Sequence, residues 1–304
     1  MSFRTSRPVK RTLNPLITAV DRRIKRLAGS EIAALREELE QTRQQLNDLR
    51  VGNYAVELLL GRTGRGSHRM PTKGQMKTLT DEVREVTDVA TAERQVHQAY
   101  RTLVVLEALG AGRVAGGTMN VVGKLSTITL LKPPNDEVLE IGTLHGLFAA
   151  ALARQLISDG RTPSLTIVDP LADVQLQPGH VVAADPSGTP VAEQVVRANL
   201  TLSGLAQDRL RLRRGFSDAP EVRSTVSDRQ YGVIIVDGDH SEEGVRQDLE
   251  WAETIAASGG IVVLDDYTDR NWPGVAAAAE KHLAGDTRFT YIGRTATTGF
   301  LRVR

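Results

Sequence analysis

The sequence predicts an α/β fold: a doubly wound, Rossmann-like, mostly parallel sheet that ends in an antiparallel hairpin and is preceded by an N-terminal helical extension. Three observations carry this. From about residue 136 onward, short apolar runs rich in Val and Ile alternate with stretches of helical period. The runs stop at acids or glycines, which mark the departure from a sheet into a loop. Near the end, Phe289-Thr290-Tyr291-Ile292 and Gly299-Phe300-Leu301-Arg302-Val303 are joined by 293–298 with no helix between them, so they form a terminal hairpin.

In order along the chain, Val138-Leu139-Glu140-Ile141 is a first strand that meets Gly142. Residues 146–157 follow with helical period. Leu165-Thr166-Ile167-Val168 is a second strand, ending at Asp169-Pro170. Residues 190–203 are again helical in period, and 209–213 alternate Leu with Arg before Gly215. Val233-Ile234-Ile235-Val236 ends at Asp237. A helix over 242–257 leads through a turn at Gly259-Gly260 into Ile261-Val262-Val263-Leu264. Strands that are apolar on both sides belong to a sheet covered on both faces.

The first half divides into a helical extension over 1–50, a linker and helix over 51–110, and the main domain over 111–304. Ile32, Leu35, Leu39, Thr42, Leu46 and Leu49 recur at alternating spacings of three and four, an a/d seam that suits a homodimer. Ser30 is placed as its N-cap, with Glu31 in the first turn. Residues 61–69 read as a flexible basic loop, and 81–109 as one helix ended by Gly110 and Gly112. Residues 116–120 are a loop, and 121–131 an apolar element stopped by Pro133-Pro134.

The chain has 304 residues, 40% of them hydrophobic and 25% charged, enough for a core without staples. It has no cysteine, which excludes disulfides, zinc–thiolate and iron–sulfur sites and thiol catalysis. No apolar run reaches the ~20 residues of a membrane span. Residues 1–29 show no secretory h-region, so a cytoplasmic protein is expected. Those residues hold eight Lys/Arg against the single acid Asp21, although the net charge of the whole is only +1. A basic head can meet nucleic acid, anionic lipid or an acidic surface. A solvated tail is preferred here over a nucleic-acid partner.

In a doubly wound sheet, ligands bind off the carboxyl ends of the strands. The first such end is Glu140-Ile141-Gly142-Thr143-Leu144-His145-Gly146. Gly142 and Gly146 allow close backbone approach and expose helix amides, or serve only a structural turn. A dinucleotide fingerprint needs glycine where Glu140 stands, which disfavours a nicotinamide dehydrogenase. The acid suits a cationic ligand, and S-adenosylmethionine carries a sulfonium and an ammonium. Asp169 can accept from ribose hydroxyls. Ser217-Asp218, after Gly215, either meets an adenine edge or caps a helix. Asp237-Gly238-Asp239-His240 and Asp265-Asp266-Tyr267 close two further strands. If those strands are neighbours, Asp237, Asp265 and Asp266 converge, and like charges that close raise one another's pKa. A divalent cation, Mg²⁺ or another that prefers oxygen ligands, relieves this. Otherwise some of these acids cap helices. The Pro- and Gly-marked stretch 171–189 has the length of a lid, and Tyr267, Trp272 and His145 are further pocket candidates.

Together these motifs, with Glu243-Gly244-Val245-Arg246-Gln247-Asp248-Leu249 and Trp272-Pro273-Gly274-Val275, resemble class I S-adenosylmethionine-dependent methyltransferases over about 136–304. The Asp-Gly-Asp and Asp-Asp-Tyr pair is similar to the metal-dependent, macrocin-type O-methyltransferases of sugars and natural products. The resemblance implies cofactor contacts at Glu140, Gly142, Thr143, Gly146, Asp169, Ser217 and Asp237. It implies metal ligation by Asp237, Asp265 and Asp266, and Asp239 as base; His240, where this sequence departs from that group, is the competing base. The implied acceptor is a hydroxyl of a small molecule or glycan. The alternative is a methyltransferase-like scaffold that acts through its N-terminal helix.

Overall fold

The structure, a computed structural model, describes Arg23 and residues 28–46, 69–173, 176 and 189–304. The basic head apart from Arg23, residues 61–68 of the expected basic loop, and Pro178, Gly179, Pro186 and Gly188 of the expected lid lie outside the described residues. The chain divides into two compact units, Met1–Glu57 and Leu58–Arg304. In the first unit, residues 28–46 are helical and exposed throughout. Ser30 therefore sits inside the helix and is not its N-cap. Ala28, a strong helix former, carries the turn across Gly29.

In the second unit three helices precede the sheet: α1 (Lys73–Thr87), α2 (Ala92–Leu109) and α3 (Thr118–Leu130). Two helices thus stand where the period predicts one over 81–109. Thr72 opens α1 through a capping box with Gln75, and Asp88, left-handed at φ 54°, closes it. Helix α3 starts within the expected loop, with extended Gly117 as its N-cap. Arg69, which the sequence places at the end of the expected basic loop, is buried. Its guanidinium clamps Glu107 through two bonds and donates to the carbonyls of Val114 and Gly116.

The sheet has seven strands in the order β3-β2-β1-β4-β5-β7-β6. They are β1 (Glu137–Ile141), β2 (Ser164–Asp169), β3 (Leu210–Arg214), β4 (Tyr231–Val236), β5 (Ala256–Leu264), β6 (Phe289–Thr295) and β7 (Thr298–Val303). The first five are parallel, and β7 runs antiparallel between β5 and β6. Strand parity sorts the core. Val138, Ile167, Val233, Ile235 and Val263 face α1–α3, α4 (Leu147–Ser158) and α5 (Glu193–Leu200). Leu139, Ile141, Ile234, Val236 and Leu264 face α6 (Pro220–Val226), α7 (Glu242–Ile255) and α8 (Pro273–Leu283). Each buried Val, Ile or Leu contributes about 1.5–3 kcal/mol, so a one-residue slip that exchanges the faces is strongly disfavoured. Strand β5 starts directly after α7 rather than at Gly259-Gly260. A register shift between Tyr231 and Val233, with Gly259 at φ 77°, absorbs the irregularity. Among the described residues, no helix is long and apolar enough to cross a membrane.

Strand order reverses at β1, which lies between β2 and β4, so a crevice opens off the carboxyl ends there. Gly142 stands at that edge with φ 82°, and a Cβ on it would lie 2.2 Å from the carbonyl oxygen of Asp237. Neither the conformation nor the space admits a side chain. Gly142→Ala is expected to lower unfolding free energy by about 1–3 kcal/mol, read as a fall in the urea midpoint at unchanged slope.

Candidate active site

A cavity of about 410 Å³ opens over this crevice, and its wall includes Glu140, Gly142, Thr143, Asp169, Ser217, Asp237 and Asp239. Backbone strain gathers at the same edge: Leu144, Leu171 and Asp266 are non-glycine residues with φ of 54°, 47° and 53°. Asp169 holds the loops beneath the cavity. Its Oδ2 accepts from the amides of Thr143 at 2.7 Å and Leu144 at 3.4 Å, and its Oδ1 from the amide of Leu171 at 2.7 Å. Glu140 is buried at 1% exposure, and the Thr143 hydroxyl donates to it. Burial pushes its carboxyl up to about 8, against the opposing pull of the Thr143 hydroxyl and the Lys124 charge.

Gly146 is not on the cavity wall. It starts α4 at φ 75°, and a Cβ there would come within 2.9 Å of Val196, so it lets α5 pack against the loop. Ser217 is on the wall beside exposed Phe216, and its carbonyl accepts from Arg223 at 2.6 Å. His145 lies 3.2 Å from the carbonyl oxygens of Arg113 and Thr189, away from the wall. Tyr267 packs on Gly299.

The acids at the next strand ends do converge. Val236 pairs with Leu264, which sets Asp237 beside Asp265. The two carboxylates share a third partner. Lys124 Nζ lies 3.1 Å from Asp237 Oδ2 and 2.9 Å from Asp265 Oδ2, with its side chain only 2% exposed. Its ammonium also lies 4.6 Å from the centre of the Phe148 ring. Asn120 donates to Asp265 Oδ1 at 2.8 Å, and the Thr298 hydroxyl lies 3.3 Å from the same oxygen. Burial alone would raise Asp265, but the Lys124 charge and the bonds from Lys124 and Asn120 hold it well below the usual range. Asp237 moves the other way, pushed up by burial and then by the charge of Asp265. Asp266 is raised to about 7 by the same two causes in the same order.

His240 is buried and stacks on Trp272 with ring centres 4.9 Å apart. Its Nε2 lies 3.8 Å from both Asp237 Oδ1 and Asp266 Oδ2. Burial lowers its pKa and favours the neutral ring. Asp237, His240 and Asp265 each offer a ligand atom, all within 4.8 Å of one another, an arrangement able to hold a metal ion. Asp239 faces the cavity and accepts from the amide of Ser241 at 2.8 Å and its hydroxyl at 2.9 Å. Gly244 makes room for it, since a Cβ there would lie 2.5 Å from Asp239 Oδ2.

Lys124 and Asn120 are the members of the site that strand-end reasoning does not find, because both come from α3. Lys124 did leave a signal. It is the single charged residue in 121–131, and a lone lysine in an apolar helix has to find a buried partner. Asn120 left none.

Residues 139–267 match the family model described as a methyltransferase domain. No curated protein matches the chain significantly. Among solved structures, the O-methyltransferase NovP is similar at a TM-score of 0.45 and 18% identity, covering 75% of this chain and 96% of that one. CalS11, a TDP-rhamnose 3'-O-methyltransferase of calicheamicin biosynthesis, is similar at 0.45 and 16%, covering 77% and 96%. TomG from Streptomyces achromogenes, an O-methyltransferase involved in tomaymycin synthesis, is similar at 0.42 and 16%, covering 77% and 99%. The family match encloses Glu140, Asp169, Asp237, Asp239, His240, Asp265 and Asp266. Residues 139–267 of this chain are thus similar to a methyltransferase domain.

Proposed function

We propose that the chain is a cytoplasmic O-methyltransferase that uses S-adenosylmethionine, with divalent-metal assistance, to methylate a hydroxyl of a small molecule or sugar. One observation carries this reading: a cavity over the switch point joins a buried acid, Glu140, to an acidic cluster at the ends of β4 and β5. The donor fits the residues present. Gly142 is on the cavity wall, Glu140 offers a carboxyl there to a positive charge, and Asp169 and Ser217 line the same wall. A divalent cation also fits, because three carboxylates face a single ammonium and a neutral imidazole. Asp237, Asp265 and Asp266 with His240 would hold it.

When bound, S-adenosylmethionine supplies an electrophilic methyl, and the cation a Lewis acid for the acceptor hydroxyl. The chain's own residues do the rest. The Gly142 loop and Asp169 position the donor. Asp239 takes the acceptor's proton, because it faces the cavity whereas His240 does not. His240, wedged against Trp272, orients Asp237 and Asp266. Ser241 and Glu243 add polar groups to the wall for a hydroxylated acceptor.

Calorimetric titration with S-adenosylmethionine tests the donor, with NAD as control. Binding of the first alone is expected, and binding of neither sinks the enzyme reading. Glu140 is mostly protonated at pH 7 with its pKa near 8, and a bound cation favours its carboxylate. Binding at pH 7 should therefore release a proton, seen as a dependence of the heat on buffer ionisation enthalpy. The release should vanish well above pH 8 and in Glu140→Gln.

Asp239→Asn is expected to cut kcat by about 10²–10⁴ with donor affinity unchanged, measured as S-adenosylhomocysteine formed with a panel of sugar and phenol acceptors. An equal loss in His240→Gln with Asp239→Asn active would move the base to His240.

Lys124→Met leaves the carboxylates without their ammonium and is expected to cost about 3–5 kcal/mol of stability in the absence of metal. Millimolar Mg²⁺ should restore part of that in thermal melts. No rescue by Mg²⁺ or Mn²⁺ would count against a cation site.

A further inference from the structure

The helix over 28–46 presents four large apolar side chains to solvent: Ile32, Leu35, Leu39 and Leu46, 51%, 64%, 51% and 46% exposed. In a heptad pattern Ile32, Leu39 and Leu46 fall at a and Leu35 at d. The remaining d position is Thr42, whose hydroxyl donates to the carbonyl of Glu38 at 2.8 Å within the same helix. Its polar atom is thus satisfied locally, and its methyl is left for an apolar seam. A single helix of this length is marginal in water and gains its stability by covering such a stripe.

The charges flanking the stripe specify what covers it. With Ile32 at a, the g positions are Glu31 and Glu38 and the e positions are Arg36 and Arg43. In a parallel pair, each g residue meets the e residue five places on in its partner. Glu31 then meets Arg36 of a second copy, and Glu38 meets Arg43, on both sides of the seam. In an antiparallel pair, g meets g and e meets e, which sets Glu against Glu and Arg against Arg. The Arg43–Glu40 contact within one helix is long, 3.8 Å, and exposed, so it competes little. We infer that residues 31–46 form a parallel two-stranded coiled coil with a second copy of this chain, selected by Glu-to-Arg pairing across the seam.

Light scattering on the full chain over a concentration series is expected to show a dimer. Leu35→Asp and Leu39→Asp should each weaken it at least about thirtyfold, the effect of losing a hot-spot contact. The double variant Glu31→Arg/Glu38→Arg should be monomeric, as should Arg36→Glu/Arg43→Glu, and mixing the two should restore a mixed dimer. These exposed changes leave the fold intact, which circular dichroism checks. The chain has no cysteine, so Thr42→Cys supplies a single reporter at the seam. Air oxidation should link it into a covalent dimer, because only the parallel register brings the two copies of residue 42 together. A monomer at every concentration overturns the proposal, as does a dimer indifferent to Leu35→Asp and Leu39→Asp. A dimer that Thr42→Cys does not cross-link overturns the parallel orientation.

Discussion

Two carboxylates set side by side at the ends of adjacent buried strands cannot both ionise without a positive partner, and in this protein the partner is Lys124. The pairing of Val236 with Leu264 leaves Asp237 and Asp265 no room to separate. Helix α3 answers with one ammonium between them and one amide, from Asn120, beneath. Breaking such a buried pair is far more costly than never having made it. The arrangement ties the helices ahead of the sheet to the strand ends that carry the acidic cluster. It also sorts the acids: Asp265 stays charged, while Asp237 and Asp266 are pushed toward the proton-bearing form.

The sheet was legible in the sequence because its strands are short, apolar and closed by acids. Val233 to Val236 and Ile261 to Leu264 admit little else, and the missing helix between Phe289 and Val303 marks the hairpin. The acids at 237, 239, 265 and 266 were legible for the same reason, since they sit where a parallel sheet hands its chain to a loop. Helix boundaries were less so. Asp88 breaks the helical stretch through a left-handed turn that an aspartate adopts without any special signature. Gly146 matched the motif, but its freedom serves the packing of Val196 rather than the cavity. Arg69 sat in a run of glycines and basic residues, and only the tertiary partner Glu107 turns it from a loop residue into a buried clamp. Of the partners brought in from outside the motif, Lys124 stands out as the lone charge in an apolar stretch, whereas Asn120 has no local pattern to betray it.

Charge also separates the two units. In the second, buried charges pair across elements in Lys124 with its aspartates and in Arg69 with Glu107. In the helix of the first, Glu31, Arg36, Glu38 and Arg43 stand in the open beside an apolar stripe. Matched buried charge holds one conformation, whereas ordered surface charge chooses among neighbours.

The parity of β4 and β5 has a consequence for how this domain tolerates change. Alternate residues of each strand belong to opposite cores, and the last residue of each hands directly to a site acid. Deleting one residue from within β5 would leave a choice between two faults. Either the apolar residues keep their faces and Asp265 is drawn back along the strand, or Asp265 stays beside Asp237 and part of the strand turns its apolar groups to the wrong side. Loops after the strand ends carry no such coupling. The strands that deliver Asp237 and Asp265 therefore have to be inherited residue for residue.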